Sequence, residues 1–379
     1  MDMNNVNIEE IVKQVLSGMT GTAPAAAQTA APAAPAQGGI PKTARVAMMT
    51  EKKHFELQEY PLPEVGDDDI LVKVEGCGVC GTDAHEYKND PFGLIPVVLG
   101  HEFAGVVEAV GEDVVRVKVG DHVTVDPSIM CGKCYACQTG RPHFCESYSA
   151  TGVTYDGGFA QLCKVREEQV YELKKDVPFE AGAMCEPLGC CLHGIDRAGI
   201  RTGDTVLVIG GGTIGQIMIQ LARLAGAATV ILSEPIESKR EMGLKMGADY
   251  AVNPMEKTPF DLMKEEGIRE INVTIECVGR KETMLDAFKY VGNEGHVLLF
   301  GLTEPDCEIP VKPYEIFQRE ITVTASYVNP FSHGRAAGLV NAGKIRLTDL
   351  ISDRLPLDDI NEVFKIRGKN GKMMIFPNE

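Results

Sequence analysis

A glycine-rich turn between a short apolar strand and a helix is the feature that most constrains the fold of this chain. Residues 205–209 read TVLVI, a buried-strand pattern, and run directly into Gly210, Gly212 and Gly215, after which an apolar helix follows. In such a unit the first glycine makes the tight turn, the second lets a pyrophosphate approach, and the third lets the helix pack on the strand. A glycine-rich turn that binds nothing is the alternative. The pattern predicts an α/β fold with a doubly wound parallel sheet and a dinucleotide site.

The residues around this turn indicate which dinucleotide binds. Thr213 and Ile214 complete the turn and belong to the predicted cofactor site. A second strand ends at Glu234, 24 residues after Gly210. Its carboxylate would accept hydrogen bonds from the adenosine ribose and repel a 2′-phosphate, and Lys239 would lie near the ribose too. We therefore predict NAD, rather than NADP, as the cofactor.

The character of the sequence changes along the chain and divides it into segments. Residues 41–188 carry short β-type runs such as ILVKVEG and AGVVEAV, broken by Gly and Pro, which predict a β-rich domain. Strand and helix patterns alternate over residues 189–331, which predicts a parallel sheet with crossover helices. The alternation then stops, and residues 332–379 are expected to return to the first domain.

The composition excludes several classes of protein. The 379 residues include 37 Lys+Arg and 54 Asp+Glu, for a net charge of −17. Such a surface repels nucleic-acid phosphates and anionic lipid, and no apolar run is long enough to span a bilayer. Many of the 12 cysteines are scattered, which suits small apolar core residues in a reducing cytoplasm better than a disulfide framework. We therefore expect a cytoplasmic protein that binds neither nucleic acid nor membrane.

Four cysteines on one short segment form a metal-binding pattern. Cys131, Cys134, Cys137 and Cys145 have the spacing C-x2-C-x2-C-x7-C. Four thiolates on one loop complete a tetrahedral zinc site and leave no position for a substrate. Buried free thiols are the alternative. The spacing therefore predicts a structural zinc site.

A second candidate metal site is dispersed along the chain. Cys80, His101, Glu102 and Glu186 would supply sulfur, imidazole and carboxylate. Such a set suits zinc with an open coordination position. Taken singly, each residue has an ordinary explanation, because His101 could be a core histidine, Glu102 a surface charge and Glu186 a carboxylate at a helix N-terminus. Their combination predicts a second, catalytic zinc.

Together these motifs resemble a known family. The sequence CGTD at 80–83, GHE at 100–102 and EPL at 186–188, with the four-cysteine loop and the glycine turn, stand in the order and spacing of the zinc-containing medium-chain dehydrogenases. The resemblance is to the sorbitol (polyol) and butanediol dehydrogenase branch in particular. It implies a GroES-like catalytic domain, a Rossmann domain, an active site between them and a dimer or tetramer.

The resemblance also implies roles for individual residues. Cys80 and His101 would hold the catalytic zinc with one carboxylate ligand, and the sequence leaves the choice between Glu102 and Glu186 open. Zinc acts in this family as a Lewis acid that lowers the pKa of a bound alcohol, and the hydride then passes to the nicotinamide. The resemblance thus implies two zinc ions per chain, and zinc with NAD as cofactors.

Two further positions bear on the proton path and on the substrate. Thr82 and His85 stand where the family keeps its hydroxyl–imidazole relay, although His85 could be a plain surface histidine. Ser326 and Tyr327 replace the Arg–Tyr pair that helps animal sorbitol dehydrogenases hold a long polyol. The expected substrate is therefore a shorter diol, a small polyol or alcohol, or the corresponding aldehyde or ketone.

Two other functions are alternatives to an alcohol or polyol dehydrogenase. A threonine-type dehydrogenase shares the CGTD and GHEF motifs and both metal sites, but would need a group that binds the charged ends of an amino acid. A catalytically silent NAD-binding scaffold would be expected to lack the zinc ligands, which this sequence retains. The sequence favours an alcohol or polyol dehydrogenase.

The first forty residues differ from the rest of the chain. Apolar residues recur at helical spacing over residues 6–19, so residues 1–20 are predicted as an amphipathic helix that needs a partner. Residues 21–40 are almost wholly Ala, Pro, Gly, Thr and Gln and predict a disordered linker. The extension resembles the encapsulation peptides of bacterial microcompartment cargo, which implies binding to a shell protein. A secretory signal or an oligomer-stabilising arm is the alternative.

Overall fold

The computed structural model describes residues 41–90, 93–365 and 371–379. The predicted targeting helix over 1–20 and the linker over 21–40 lie outside these residues. Among the described residues, no helix combines the length and the apolar character that a membrane crossing would require.

The segment from Thr43 to Ala183 has more strands than helices. Its strands are β1 (Thr43–Glu51), β2 (His54–Pro61), β3 (Asp69–Gly78), β4 (Val97–Val98), β5 (Glu102–Val110), β6 (His122–Val125), β7 (Ser128–Ile129), β8 (Ser149–Ala150), β9 (Leu162–Arg166) and β10 (Val170–Leu173). Its helices are α1 (Gly81–Asn89), α2 (Tyr135–Gln138) and α3 (Phe179–Ala183), with 3-10 turns at Pro142–Phe144 and Glu167–Gln169. β3 pairs antiparallel with β5 and β9, and β1 joins β2 and β4 in a smaller sheet.

The next part of the chain alternates strand and helix. Its strands are β11 (Thr205–Ile209), β12 (Thr229–Ser233), β13 (Tyr250–Val252), β14 (Ile271–Glu276), β15 (Val291–Leu299) and β16 (Thr322–Ala325). Its helices are α4 (Cys185–Ala198), α5 (Thr213–Leu224), α6 (Glu237–Lys245), α7 (Pro259–Glu266), α8 (Lys281–Tyr290) and α9 (Pro313–Gln318). The strands are all parallel, in the order β13-β12-β11-β14-β15-β16. This is the doubly wound sheet that the sequence predicts, with its switch point between β11 and β14.

The last part of the chain runs back to the β-rich sheet. It consists of α10 (His333–Asn341), β17 (Ile351–Pro356), α11 (Ile360–Val363) and β18 (Lys372–Phe376), with 3-10 turns at Thr348–Leu350 and Leu357–Asp359. β18 pairs parallel with β17 and antiparallel with β3. The domain divisions at 188/189 and 331/332 stay predictions, and the first of them falls inside the continuous helix α4.

Helix α4 ties its own first turn to the parallel sheet. Leu188 and Cys191 on its buried face lie in the same apolar cluster as Val206 and Val208 of β11 and Ile275 of β14. Burial of this apolar surface is the main force that fixes the helix on the sheet. The side chains in the first turn of α4 are therefore held in a fixed position beside the switch point of the parallel sheet.

His333, at the start of α10, is fully buried and should make stability depend on pH. Its Nε2 lies 3.1 Å from Thr124 Oγ1, whose own hydrogen is donated to the carbonyl oxygen of Gly182 at 2.8 Å. His333 therefore donates from Nε2, and Nδ1 is buried without a hydrogen-bond partner. Burial lowers the pKa of His333, although the charge of Asp126 opposes the effect. The folded protein thus keeps a neutral imidazole that the unfolded chain protonates below about pH 6.5.

We expect the free energy of unfolding to fall as the pH drops below about 6.5, by up to about 1.4 kcal/mol per pH unit from this group. His333→Gln should flatten that part of the profile, measured by urea unfolding at pH 7.5, 6.5 and 5.5. His54→Gln, at an exposed histidine, is the control and should leave the slope unchanged. Equal slopes in the wild type and His333→Gln would contradict the prediction.

Candidate functional site

Cys80 lies between β3 and α1, where the strand turns into the helix. Its backbone amide donates to Asp83 Oδ2 at 2.8 Å, which closes the first turn of α1. Its sulfur lies 3.7 Å from Thr82 Oγ1. The positive end of the helix dipole favours negative charge at this position.

His101 is buried just before β5 and is oriented by a carboxylate. The turn needs glycine at position 100, because Gly100 has φ +95° and a Cβ there would lie 2.7 Å from Phe159 Cδ1. His101 Nδ1 lies 3.2 Å from Oδ1 of the fully buried Asp83, which directs the other imidazole nitrogen away from it. Burial opposes protonation of His101, whereas the charges of Asp83 and Cys80 favour it, and the net effect raises its pKa.

Glu102 begins β5 and forms a buried ion pair with Lys372, the first residue of β18. Lys372 Nζ lies 2.7 Å from Glu102 Oε1 and 2.5 Å from Oε2, and it also donates to the carbonyl oxygen of Val79 at 3.3 Å. The two side chains are 8% and 1% exposed. Burial opposes the charge on Lys372, but the Glu102 carboxylate outweighs it and raises the pKa of the lysine above its usual range.

Glu186 lies in the first turn of α4 and is buried. Desolvation raises the pKa of its carboxyl to about 7, with His101 lowering it and Glu102 raising it. One helical turn later, Cys190 donates its thiol hydrogen to Glu186 Oε1 at a sulfur–oxygen distance of 3.6 Å. Helix α4, which carries this turn, contacts β5, the strand that Glu102 begins.

The donor atoms fit a zinc ion. Ligand atoms of Cys80, His101 and Glu102 all lie within 4.8 Å of one another. Sulfur, imidazole and carboxylate are the donors that zinc takes in sites with an open position. Three of the four predicted ligands are thus brought together, whereas Glu186 stands outside this group of mutually close donors.

The four-cysteine loop also fits zinc. The sulfur atoms of Cys131, Cys134, Cys137 and Cys145 lie within 4.8 Å of one another. Backbone amides donate to two of them, from Cys134 to Cys131 Sγ at 3.3 Å and from Cys131 to Cys145 Sγ at 3.3 Å. Backbone hydrogen bonds lower the pKa of Cys134 to about 6, while desolvation and neighbouring thiols raise that of Cys137 to about 12. Four thiols this close together cannot all lose their protons unless a cation balances the charge, so they form a donor set for a divalent cation.

The glycine turn forms between β11 and α5 at the predicted position. Gly210 has φ +100°, and Gly212 precedes the first helical residue, Thr213, with Ile214 next in the first turn. Gly215 has no room for a side chain, since a Cβ there would lie 1.9 Å from the carbonyl oxygen of Gly210. The N-terminus of α5 is thus free to face a phosphate group.

Glu234 follows β12 and is held against this turn. Its Oε2 accepts from the Gly211 amide at 2.7 Å, and its Oε1 accepts from the Ile236 amide at 2.9 Å. Lys239 lies on the same side, with its Cβ 3.2 Å from where a Cβ of Gly211 would stand. The carboxylate and the lysine therefore sit beside the turn, where the sequence predicts ribose contacts.

Thr82 and His85 lie on the exposed face of α1. Asn89 Nδ2 lies 3.2 Å from His85 Nδ1 and donates to it, which leaves the proton of a neutral imidazole on Nε2. No hydrogen bond joins Thr82 to His85 in the part of the chain that the structure describes. Their relay role stays a prediction.

The prediction that the remaining cysteines are core residues holds for some of them only. Four are buried, namely Cys77, Cys163, Cys185 and Cys191. It also holds for Cys277, which is half-buried and packs against the apolar core. It is wrong for Cys190 and Cys307, which are half-buried and belong to none of the apolar clusters. The reason for Cys190 is its place on the face of α4 that carries Glu186. All twelve are free thiols.

Sequence reasoning missed Lys372 as a site residue. It opens the otherwise apolar run KMMIF, and a lysine at the start of a buried strand needs a partner. That was the available signal, although nothing in the sequence points to Glu102, 270 residues away, as the partner.

Two known families match successive parts of the chain. The alcohol dehydrogenase GroES-like domain matches residues 66–175, and the zinc-binding dehydrogenase family matches residues 213–339. The chain belongs to the zinc-dependent medium-chain alcohol dehydrogenases. The α/β fold, with its β-rich GroES-like and Rossmann parts, is thereby confirmed.

Individual relatives support the same assignment. The dehydrogenase is 32% identical over 321 residues to D-arabinitol dehydrogenase 1 of Uromyces fabae, covering 83% of this chain and 92% of that protein. It is 34% identical over 346 residues to L-threonine 3-dehydrogenase of Pyrococcus abyssi, covering 87% and 97%. Among solved structures, a zinc-binding dehydrogenase from Sinorhizobium meliloti 1021 with NADP bound has a TM-score of 0.84 and 37% identity, covering 89% of this chain and 100% of that one.

The family settles the general chemistry of the dehydrogenase. It is an oxidoreductase that acts on the CH–OH group of alcohols or polyols, and its cofactors are zinc and a nicotinamide dinucleotide.

Proposed function

We propose that this dehydrogenase interconverts a small secondary alcohol, diol or polyol and its carbonyl compound, using NAD and a catalytic zinc. The observation that carries the proposal is the convergence of Cys80, His101 and Glu102 within 4.8 Å. Glu186 lies in the first turn of α4, which packs on the sheet that bears the glycine turn. The metal donors and the dinucleotide turn are thus joined through one helix.

The residues of the chain have distinct parts in the proposed reaction. Cys80 and His101 would hold the zinc together with one carboxylate, either Glu102, which lies within 4.8 Å of both but is paired with Lys372, or Glu186, directly or through water. When bound, zinc polarises the alcohol oxygen and lowers its pKa.

The chain must also carry the alcohol proton to water. Thr82 Oγ1, 3.7 Å from Cys80 Sγ, stands at the inner end of the proposed path. His85, exposed one helical turn later, stands at the outer end and can pass a proton to solvent.

The cofactor proposal rests on Glu234. A carboxylate fixed by the Gly211 and Ile236 amides lies beside the turn and has further lone pairs for the ribose hydroxyls. The same charge repels a 2′-phosphate. We therefore infer NAD for this chain, even though the relative from Sinorhizobium meliloti was solved with NADP.

The deciding experiment is a set of kcat/KM values on the zinc-loaded enzyme. Glycerol, 1,2-propanediol, 2,3-butanediol, sorbitol and L-threonine are oxidised with NAD+ or NADP+, and small aldehydes and ketones are reduced with NADH. We expect a small diol to exceed both sorbitol and threonine, and NAD+ to exceed NADP+ by at least about 10-fold. Preference for L-threonine would favour the threonine-type alternative, and preference for NADP+ would overturn the cofactor proposal. If none of these alcohols is oxidised by enzyme with both zinc ions bound, the proposed substrate class is wrong.

We also propose that residues 6–19 direct the enzyme into a bacterial microcompartment within the cytoplasm by binding a shell protein. The support is the amphipathic pattern and the Ala/Pro-rich segment that follows it. The prediction is that deleting residues 1–40 leaves kcat/KM unchanged and abolishes co-sedimentation with shells. The full-length chain is the control, and normal packaging of the shortened enzyme would contradict the proposal.

We further propose a homo-oligomer formed through the edge of the parallel sheet. β16 ends the order of that sheet, and its Val323 is 40% exposed. Phe317 of the preceding helix is 79% exposed. An open edge with apolar neighbours suits pairing with a second copy.

Sedimentation velocity should therefore give about two or four times the mass of one chain. Val323→Lys should shift the enzyme toward monomer, while Val115→Lys, at an exposed valine remote from this edge in sequence, should not. A wild-type monomer would contradict the prediction.

A further inference from the structure

A chain of hydrogen bonds joins four polar side chains beside the proposed active site. Asn329 Nδ2 donates to Asp126 Oδ1 at 3.4 Å, and Ser128 Oγ donates to Asn329 Oδ1 at 3.2 Å. Ser128 Oγ also lies 3.2 Å from the hydroxyl oxygen of Tyr148. Asp126, Ser128 and Asn329 are buried, whereas Tyr148 is half-buried. The hydrogen bonds therefore run from the buried carboxylate of Asp126 to the half-buried phenol of Tyr148.

The direction of each bond follows from the donors available. Asp126 accepts from the Ser128 amide at 3.0 Å as well as from Asn329, which fixes the amide group of Asn329 with its oxygen toward Ser128. Ser128 has one hydroxyl hydrogen, and Asn329 takes it. Tyr148 must then donate its own hydrogen to Ser128. The lone pairs of the Tyr148 oxygen are then left without a donor in the hydrogen bonds of the described residues.

These hydrogen-bonded side chains are fixed to the first turns of α4, where Glu186 lies. Asn329 packs on Gly189, since a Cβ at that glycine would lie 3.4 Å from Asn329 Cβ. Ser332 Oγ donates to the Gly189 carbonyl oxygen at 2.8 Å. A tyrosine phenol carries its hydrogen at neutral pH, so Tyr148 can make the donation to Ser128.

We propose that the Tyr148 oxygen accepts a hydrogen bond from the non-reacting hydroxyl group of a diol or polyol. Asp126, Asn329 and Ser128 act as positioning residues that force Tyr148 to be an acceptor on its substrate side. Such a site favours a substrate with a second hydroxyl over the simple alcohol that lacks it. The inference rests on the proposed function, and deepens it by naming the group that selects the substrate.

The test compares 2,3-butanediol with 2-butanol, which differ by one hydroxyl group. Tyr148→Phe in the zinc-loaded enzyme should lower kcat/KM for the diol by about 5- to 10-fold and leave that for 2-butanol within about 2-fold, because one hydrogen bond is lost. Tyr155→Phe, at a tyrosine of the same loop that is 58% exposed, is the matched control and should change neither value.

A second variant tests the direction of the bond. Ser128→Ala frees the Tyr148 hydroxyl to donate as well as accept, so 3-methoxy-2-butanol, whose ether oxygen can only accept, should gain kcat/KM relative to 2,3-butanediol while 2-butanol is again spared. Equal losses for both alcohols in Tyr148→Phe would show a structural role only, and an unchanged diol preference would show that Tyr148 does not contact the substrate. Either result overturns the proposal.

Binding measurements keep this test separate from the proposed function. Dissociation constants of the two alcohols are measured by calorimetry on the zinc-loaded enzyme with NADH, for the wild type and Tyr148→Phe. A 5- to 10-fold weakening for the diol alone supports the inference even without turnover. Failure of the wild type to oxidise either alcohol counts against the proposed function, whereas equal affinity of wild type and variant for the diol counts against the inference.

Discussion

Replacing Cys80 by serine is expected to lower kcat/KM for alcohol oxidation by about 10³-fold or more while the protein stays folded. Cys80 is the sulfur donor of the group that it forms with His101 and Glu102. A serine hydroxyl is a much poorer zinc ligand at neutral pH, and loss of the metal removes several kcal/mol of stabilisation from the reaction. The zinc content should fall from about two to about one equivalent per chain, because the four-cysteine loop is untouched.

The matched control is Cys307→Ser, at a half-buried cysteine outside both donor groups. It should keep full activity and both zinc ions. Near-wild-type activity in Cys80→Ser with two zinc ions bound would show that the catalytic metal lies elsewhere.

Replacing Lys372 by methionine should destabilise the protein by about 3–5 kcal/mol, measured as the free energy of unfolding in urea. The side chain of its partner Glu102 is 1% exposed, so the variant leaves a buried carboxylate without its cation. The additional change Glu102→Gln removes that charge and should restore most of the loss.

A surface ion pair provides the comparison for this variant. Lys312 pairs with Glu315 at 2.9 Å, and their side chains are 77% and 54% exposed. Lys312→Met should therefore change the free energy of unfolding by no more than about 1 kcal/mol. A loss equally small in Lys372→Met, measured on the zinc-loaded enzyme, would mean that the metal rather than the lysine neutralises Glu102.

Local sequence signals predicted much of the fold. The run from β11 through the glycine turn to Thr213 lies where the sequence placed it, because the turn, the apolar strand and the helix start are all encoded within a few residues. The four cysteines come together for the same reason, since their short spacing leaves little freedom for the loop. The parallel pairing of β11 to β16 followed from the alternation of strand and helix patterns.

Contacts between distant segments were harder to predict. Periodicity indicates that a residue is buried but not what it touches, so the lysine opening KMMIF had no visible partner until β18 was placed beside β3. The hydrogen bonds that link Asp126 to Tyr148 likewise depend on Asn329, about 200 residues further on. The neighbourhood of Glu186 depends on how α4 packs, which local patterns do not encode.

The position of Glu186 on α4 has a mechanical consequence. Cys80 and His101 belong to the β-rich sheet, whereas Glu186 travels with a helix anchored on the parallel sheet. A small rotation of one sheet against the other would change the distance from Glu186 to Cys80 and His101 while leaving the latter two in place. If Glu186 is the carboxylate ligand, closure of the two sheets around a dinucleotide would therefore change the distance between that ligand and the metal.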